Sequence, residues 1–243
     1  MARPEPVVEV AGVTRRYGRR IAIDDVSFTV GAGELVGLVG GNGAGKTTLV
    51  RLVAGYLDAD RGRVAIAGRD VATAPRAAAA CRGYLLEGAP LPPELSVRGY
   101  LAARARLRRL TATDLAAALA EVGLGDRADD AIGTLSKGQR QRVAWVEATL
   151  GRPPALLLDE PAAGLDEAER WAVRERLAAA RGTCAVVWAS HELADVEAVA
   201  DRVVVLVRGV ARAVGTMAEV RAAAGLGGDA TLGACVAALG AST

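Results

Sequence analysis

The chain has 243 residues, enough for one domain with a sizeable core or for one domain carrying an inserted sub-domain, and too few for two large independent ones. Apolar residues make up 51% of it, but they are mostly Ala, Val and Leu broken by charges, so no stretch reaches the roughly 20 apolar residues of a membrane-spanning helix. A net charge of +2 with acids and bases interspersed argues against a dedicated nucleic-acid binder, and the widely spaced Cys81, Cys184 and Cys235 suggest reduced, buried side chains rather than a disulfide framework or a metal knuckle.

The opening MARPEPVVEV lacks the apolar core of a signal peptide, which reads as a soluble cytosolic chain or one held at a membrane only by a partner. Next, ELVGLVGGNGAGKTTLVRLVA, residues 34–54, predicts a buried strand over Leu35–Val39, a glycine-rich turn and a helix from about Lys46. Residues 40–47 fit G-x-x-x-x-G-K-[ST], the phosphate-binding loop. Gly40, Gly41, Gly43 and Gly45 let the backbone curl so that successive N–H groups face one anion, and the helix N-terminus adds partial positive charge. Lys46, one of only two lysines, is placed to reach the β- and γ-phosphates, and the Thr47 hydroxyl to ligate Mg²⁺. This motif establishes nucleotide binding without saying how it is used.

Further along, YLAARARLRRL, residues 100–110, predicts a strongly basic helix: a solvated face, or a surface for a membrane or a partner. TLSKGQRQR, residues 134–142, clusters Ser136, Lys137, Gly138 and Gln139 just before a helix expected over 139–150. In PPALLLDEPAAGLDEAER the apolar run 155–158 suits a strand buried on both faces of a parallel sheet, whose carboxyl end is where such sheets place ligands. There Asp159 would hold Mg²⁺ through its water shell, while Glu160 would polarise the attacking water. Two carboxylates beside a triphosphate repel it unless a cation intervenes, so Mg²⁺ is part of the reading. A last strand over 183–190 delivers the lone His191, either structural or placed to bond the γ-phosphate and orient water. Residues 230–243 read as a terminal helix or tail.

Together, segments 40–48, 135–139, 158–161, 164–166 and His191 fall in the order and approximate spacing of ATP-binding cassette (ABC) ATPases, and LSKGQ resembles that family's LSGGQ signature with Lys137 replacing a glycine. The resemblance covers nearly the whole chain. It implies an α/β fold: a RecA-like P-loop NTPase core with a mainly parallel sheet, an N-terminal antiparallel β-subdomain (about 7–30, rejoined near 63–67) and an inserted helical subdomain at about 87–150. One ATPase domain would span 1–222, with a short C-terminal helix or tail over 223–243.

The same resemblance assigns ATP to Gly40, Gly41, Asn42, Gly43, Ala44, Gly45, Lys46, Thr47 and Thr48, and Mg²⁺ to Thr47, Asp159 and Glu87. Ser136, Gly138 and Gln139 would cap the ATP of a second ATPase subunit, with Lys137 either a further cation there or an exchangeable surface charge. Tyr17 matches the aromatic that stacks on adenine, and Asp166 the loop that links two ATP sites across a dimer. GYLLE stands where GYLPQ is usual, so Glu87 replaces a glutamine that senses Mg²⁺ and water, which points to modified rather than absent activity. Glu160, His191 and Lys46 form the expected catalytic set, and their presence together with Asp159 conflicts with a silent binding module. The expected partners are a transmembrane permease and a second ATPase subunit, with no specific nucleic acid, placing the chain peripherally on the inner face of the cell membrane. ATLGACVAALGAST resembles the ending of exporter ATPases, which with LSKGQ and Glu87 favours export over import; a soluble cluster-assembly ATPase is the alternative.

Overall fold

The computed structural model describes residues 6–108 and 112–241, and of these the side chains of all but 112–114. The N-terminal part is a hairpin of β1 (Val8–Tyr17) and β2 (Arg20–Val30). Leu35–Val39 forms β3 and runs through the glycine loop into α1 (Lys46–Val53). The chain then returns as β4 (Arg61–Ile66) and β5 (Arg69–Asp70), which complete an antiparallel four-stranded sheet of order β2-β1-β4-β5.

After α2 (Pro75–Ala80) and β6 (Arg82–Leu85) comes a helical insertion: α3 (Val97–Leu107), α4 (Ala112–Glu121), two 3₁₀ turns (Gly125–Arg127 and Ile132–Thr134) and α5 (Lys137–Thr149). The core resumes as β7 (Ala155–Asp159), α6 (Glu167–Ala180), β8 (Ala185–Ala189), α7 (Leu193–Val199), β9 (Arg202–Val207) and β10 (Val210–Gly215), followed by α8 (Met217–Ala223) and α9 (Leu232–Ala241). The second sheet has the order β10-β9-β3-β8-β7-β6, parallel throughout except for the antiparallel edge strand β10.

The sequence dictates this burial. Every residue of β3, β7 and β8 is buried, as expected of strands covered on both faces. Alternate side chains serve two cores. Val36, Leu157 and Val187 pack with α1 residues Leu49 and Leu52 and with Val8 and Ile23 of the antiparallel sheet. Leu35, Leu156, Leu158 and Trp188 pack on the opposite side with Leu101, Leu119 and Val143 of the insertion, Leu177 of α6 and Val196 of α7. Two close approaches set the layering. A Cβ on Gly37 would lie 2.2 Å from Val196 Cγ1, and one on Gly83 of β6 only 1.8 Å from the carbonyl oxygen of Ala148 in α5.

Several expectations are refined by the structure. The helix expected from Gln139 begins at Lys137, because Ser136 caps it. The strand expected over 183–190 is confined to Ala185–Ala189. Cys235 is buried as expected, but Cys81 and Cys184 are half-buried. Within the basic helix, Arg104 pairs with Glu147 at 2.6 Å, Arg108 donates to the Leu150 carbonyl, and Arg98 pairs with Asp129 at 2.8 Å. Much of its charge is therefore spent inside the insertion; Arg109 and Leu110 lie outside the described residues, as do Ser242 and Thr243. The tail forms α9, with Leu232, Cys235 and Leu239 buried against the main core. Glu197 pins it, accepting from Leu232 N at 2.9 Å and pairing with Arg221 at 3.0 Å.

Candidate phosphate and metal site

The carboxyl ends of β3, β8 and β7 are neighbours in the sheet, which brings together residues far apart in the chain. From the end of β3 the backbone turns through Gly40 (φ +155°) and Gly45 (φ +108°). A Cβ at Gly40 would lie 2.3 Å from the carbonyl oxygen of Leu206, and one at Gly45 2.7 Å from that of Ala22, so only glycine fits either position. Gly41, by contrast, has open space around it. Gly45 caps α1 without any side-chain acceptor, leaving the first N–H groups of the helix to an incoming anion.

Lys46 is buried, its Nζ donating to the carbonyls of Gly40 at 2.8 Å and Gly41 at 3.4 Å. The ammonium thus sits within the loop it serves, and a charged phosphate oxygen outcompetes these neutral carbonyls. Next to it, Thr47 Oγ1 donates to Asp159 Oδ1 at 3.2 Å. Asp159 is 1% exposed, and its Oδ2 has no hydrogen-bond partner. Burial, reinforced by Glu87 and Glu160, pushes its pKa up to about 6 against the lowering effect of the Thr47 hydrogen bond and Arg51.

An orphaned buried carboxylate oxygen beside a hydroxyl is a costly arrangement that a hard divalent cation relieves, so these residues fit Mg²⁺. Among the described residues no three His, Cys, Asp or Glu converge as a ligand set. Glu87, just beyond β6, is exposed and adds negative charge to this corner.

Glu160 follows Asp159 with a left-handed backbone, φ +50°, uncommon for a residue with a side chain. Its N–H donates to the Ala189 carbonyl at 3.0 Å, and this turn aims its carboxylate at the end of β8. There Oε2 meets His191 Nδ1 at 2.7 Å and accepts from His191 N at 3.3 Å. His191, expected to be either structural or placed to bond the γ-phosphate and orient water, has its Nδ1 engaged by Glu160. An ionised carboxylate only accepts, so Nδ1 carries a proton in this contact.

Tyr17, 46% exposed, ends β1 with the Arg15 guanidinium 5.2 Å from its ring centroid. The hairpin turn beside it leads into Arg20, Ala22 and Ile23, which border Gly43 and Gly45 of the loop. Asn42, Gly43, Ala44 and Thr48 lie on the same loop and first helical turn.

The remaining expected residues form a second group. Ser136 Oγ accepts from Gln139 N at 3.1 Å while Gln139 Oε1 accepts from Ser136 N at 2.9 Å, a reciprocal capping box. These polar groups therefore already have work within their own chain, although Ser136 itself remains exposed. Gly138 is buried against Glu169, whose Oε1 would lie 1.5 Å from an added Cβ. Lys137, exposed, lays its Nζ over Gly164. Asp166 caps α6 by accepting from Glu169 N at 2.8 Å. Sequence reasoning missed Gln141, buried in α5, whose Nε2 donates to the Pro161 carbonyl at 2.6 Å and so ties this group to the residue after Glu160.

Comparison with known proteins matches this geometry to a family. A family profile described as ABC transporter matches residues 23–163. The Nod factor export ATP-binding protein I of Bradyrhizobium diazoefficiens is 33% identical over 208 residues, covering 83% of this chain and 68% of that protein. The Fe(3+) ions import ATP-binding protein of Streptomyces coelicolor is 36% identical over 223 residues, covering 89% of this chain and 64% of that protein. A solved structure of an ATP-binding subunit of an ABC transporter superposes with a TM-score of 0.89 at 32% identity, covering 96% of this chain and 99% of that one.

Proposed function

The chain belongs to the ABC transporter family of ATP-binding, ATP-hydrolysing subunits, and from that premise we propose that it pairs with a second ATPase subunit around Mg·ATP and powers export through a separate membrane-spanning permease. The observation that carries the catalytic part is the sheet edge itself: Lys46, Thr47 and Asp159 with its unpartnered oxygen, beside a Glu160 fixed by His191.

Lys46 and the uncapped N–H groups of α1 bind and orient the phosphates. Thr47 and Asp159 would hold Mg²⁺, which when bound supplies the positive charge that lets a triphosphate approach two carboxylates. Glu160 accepts a hydrogen bond from the attacking water, and His191 keeps that carboxylate in one orientation. Tyr17 offers an exposed ring for adenine. Ser136, Gly138 and Gln139, at the capped end of α5, are offered to the phosphates of the second subunit, with Asp166 at the junction between the two.

Export is the favoured direction because Glu87 stands in place of glutamine and because the C-terminal segment resembles that of exporter subunits. Among the described residues no helix is long and apolar enough to cross a membrane, so the proposed location, the inner face of the cell membrane, depends on the permease. Fractionation of native cells, followed by mass spectrometry of what co-purifies with this chain in mild detergent, tests the transport reading. A polytopic membrane partner is expected. A purely soluble partner without membrane association would leave the ATPase standing and overturn the transporter, in favour of a cluster-assembly type of role.

A further inference from the structure

The tip of the first hairpin, RRYGRR over residues 15–20, carries four arginines whose surroundings differ. Arg15 is already committed: its Nη1 donates to the Asp58 carbonyl at 3.0 Å and pairs with Asp60 at 3.3 Å, with the guanidinium beside the Tyr17 ring. Arg20, exposed at the first position of β2, has no ion pair among the described residues. Across the hairpin it is the strand partner of Tyr17. Its guanidinium reaches over the phosphate-binding loop, where Nη2 lies 3.7 Å from the place a Cβ on Gly43 would take. Gly43 is left-handed, φ +75°, and without a side chain it leaves this approach open. The loop already gathers the Lys46 ammonium and the free N–H groups of α1, so an unpaired guanidinium above it is repelled by its surroundings. An anion lying between them relieves that repulsion.

We propose that Arg20 is a nucleotide-contacting residue that donates to the α-phosphate of bound ATP. The proposal rests on the reading that Tyr17 stacks on adenine and that the loop with Lys46 holds the β- and γ-phosphates. Between those two ends of ATP lie the ribose and the α-phosphate. Arg20 stands between the two corresponding protein sites, beside Tyr17 on one strand and over Gly43 of the loop. Of the two groups the phosphate carries the charge, and its oxygens match the planar fork of guanidinium donors. Ribose hydroxyls are neutral acceptors and bind a guanidinium more weakly. Because Arg20 is exposed and unpaired, its contribution is expected in nucleotide affinity and not in the stability of the empty fold. ADP and ATP share the α-phosphate, so the contact serves both alike.

The test is isothermal titration calorimetry of the full chain with Mg·ADP, Mg·2′,3′-dideoxy-ADP and a magnesium complex of a non-hydrolysable ATP analogue. Arg20→Gln is expected to weaken all three by one common factor, about three- to tenfold. Arg20→Lys, which keeps the charge and loses the fork, should fall between wild type and Arg20→Gln. Arg19→Gln removes another exposed charge from the same turn and should stay within about twofold of wild type, since a distant charge is screened. The nucleotide-free melting temperature should be the same in all of these variants. Wild-type affinity in Arg20→Gln would overturn the proposal. So would an equal loss in Arg19→Gln, the mark of a diffuse field, a loss absent from the dideoxy nucleotide, the mark of a ribose contact, or a loss confined to the ATP analogue, the mark of a γ-phosphate contact. Tyr17→Ala and Lys46→Ala separate this from the reading beneath it. If either binds nucleotide as wild type does, the placement of adenine and phosphates fails; if both bind weakly while Arg20→Gln binds normally, only the Arg20 contact fails.

Discussion

Asp159 is held in an environment that disfavours its own charge, and this has a measurable consequence. With a pKa raised from 3.8 to about 6, it binds a proton more readily in the folded chain than in the unfolded one. Its ionisation at neutral pH therefore costs the metal-free fold on the order of 3 kcal/mol. That stability is fully present below about pH 4 and is lost as pH rises through 6. Asp159→Asn removes the charge, so urea melts in EDTA should show the variant more stable than wild type at pH 7.5, with the gap closing as pH falls from 6 towards 4. Added Mg·ATP should stabilise wild type more than the variant, which keeps Lys46 and the α1 N–H groups but loses a metal ligand. At this scale the sequence was legible where a residue falls in a fixed frame, as with Lys46, one of two lysines, after its glycines and Asp159-Glu160 at the end of an apolar run. Gln141 was not legible, because a common polar residue on a helix acquires meaning only from the partner that the fold brings to it.

Among the elements, α5 carries two separable roles. Its capping box was readable in principle from Ser136 and Gln139 three residues apart ahead of a helix, yet a reading focused on their donor capacity started the helix two residues late. Ser136→Ala should cost about 1 kcal/mol through the lost cap. Ser136→Asp keeps a good cap but sets an anion where phosphate is proposed to dock. It should therefore melt close to wild type in thermal denaturation, yet lose ATP-dependent self-association in analytical ultracentrifugation; association at wild-type strength would argue against a phosphate-facing Ser136. The β6–α5 contact offers a purely structural control. A methyl at Gly83 strikes a backbone carbonyl, and Gly83→Ala should destabilise by about 1–3 kcal/mol in urea unfolding. The need for glycine there could not be read from RGYL alone, since it arises from a helix end more than 60 residues away in sequence.

Across the whole molecule, the antiparallel layer, the mainly parallel core and the helical insertion that the family resemblance implied are all present. The C-terminal segment, read from its small residues as a helix or a tail, is a helix whose Leu232 and Cys235 are fully buried. Ending the chain after residue 228 should lower stability by on the order of 3–5 kcal/mol, measured by chemical denaturation. A truncated chain as stable as the full one would show that α9 merely rests on the core.

The central claim is that this sheet edge hydrolyses ATP with Glu160 as the group that polarises water. Single-turnover phosphate release from Mg·ATP by wild type and by Glu160→Gln, with nucleotide affinity measured in parallel, addresses it most directly. The account predicts release slowed by about 100-fold or more in the variant, with affinity for Mg·ATP unchanged. Release at the wild-type rate would contradict it.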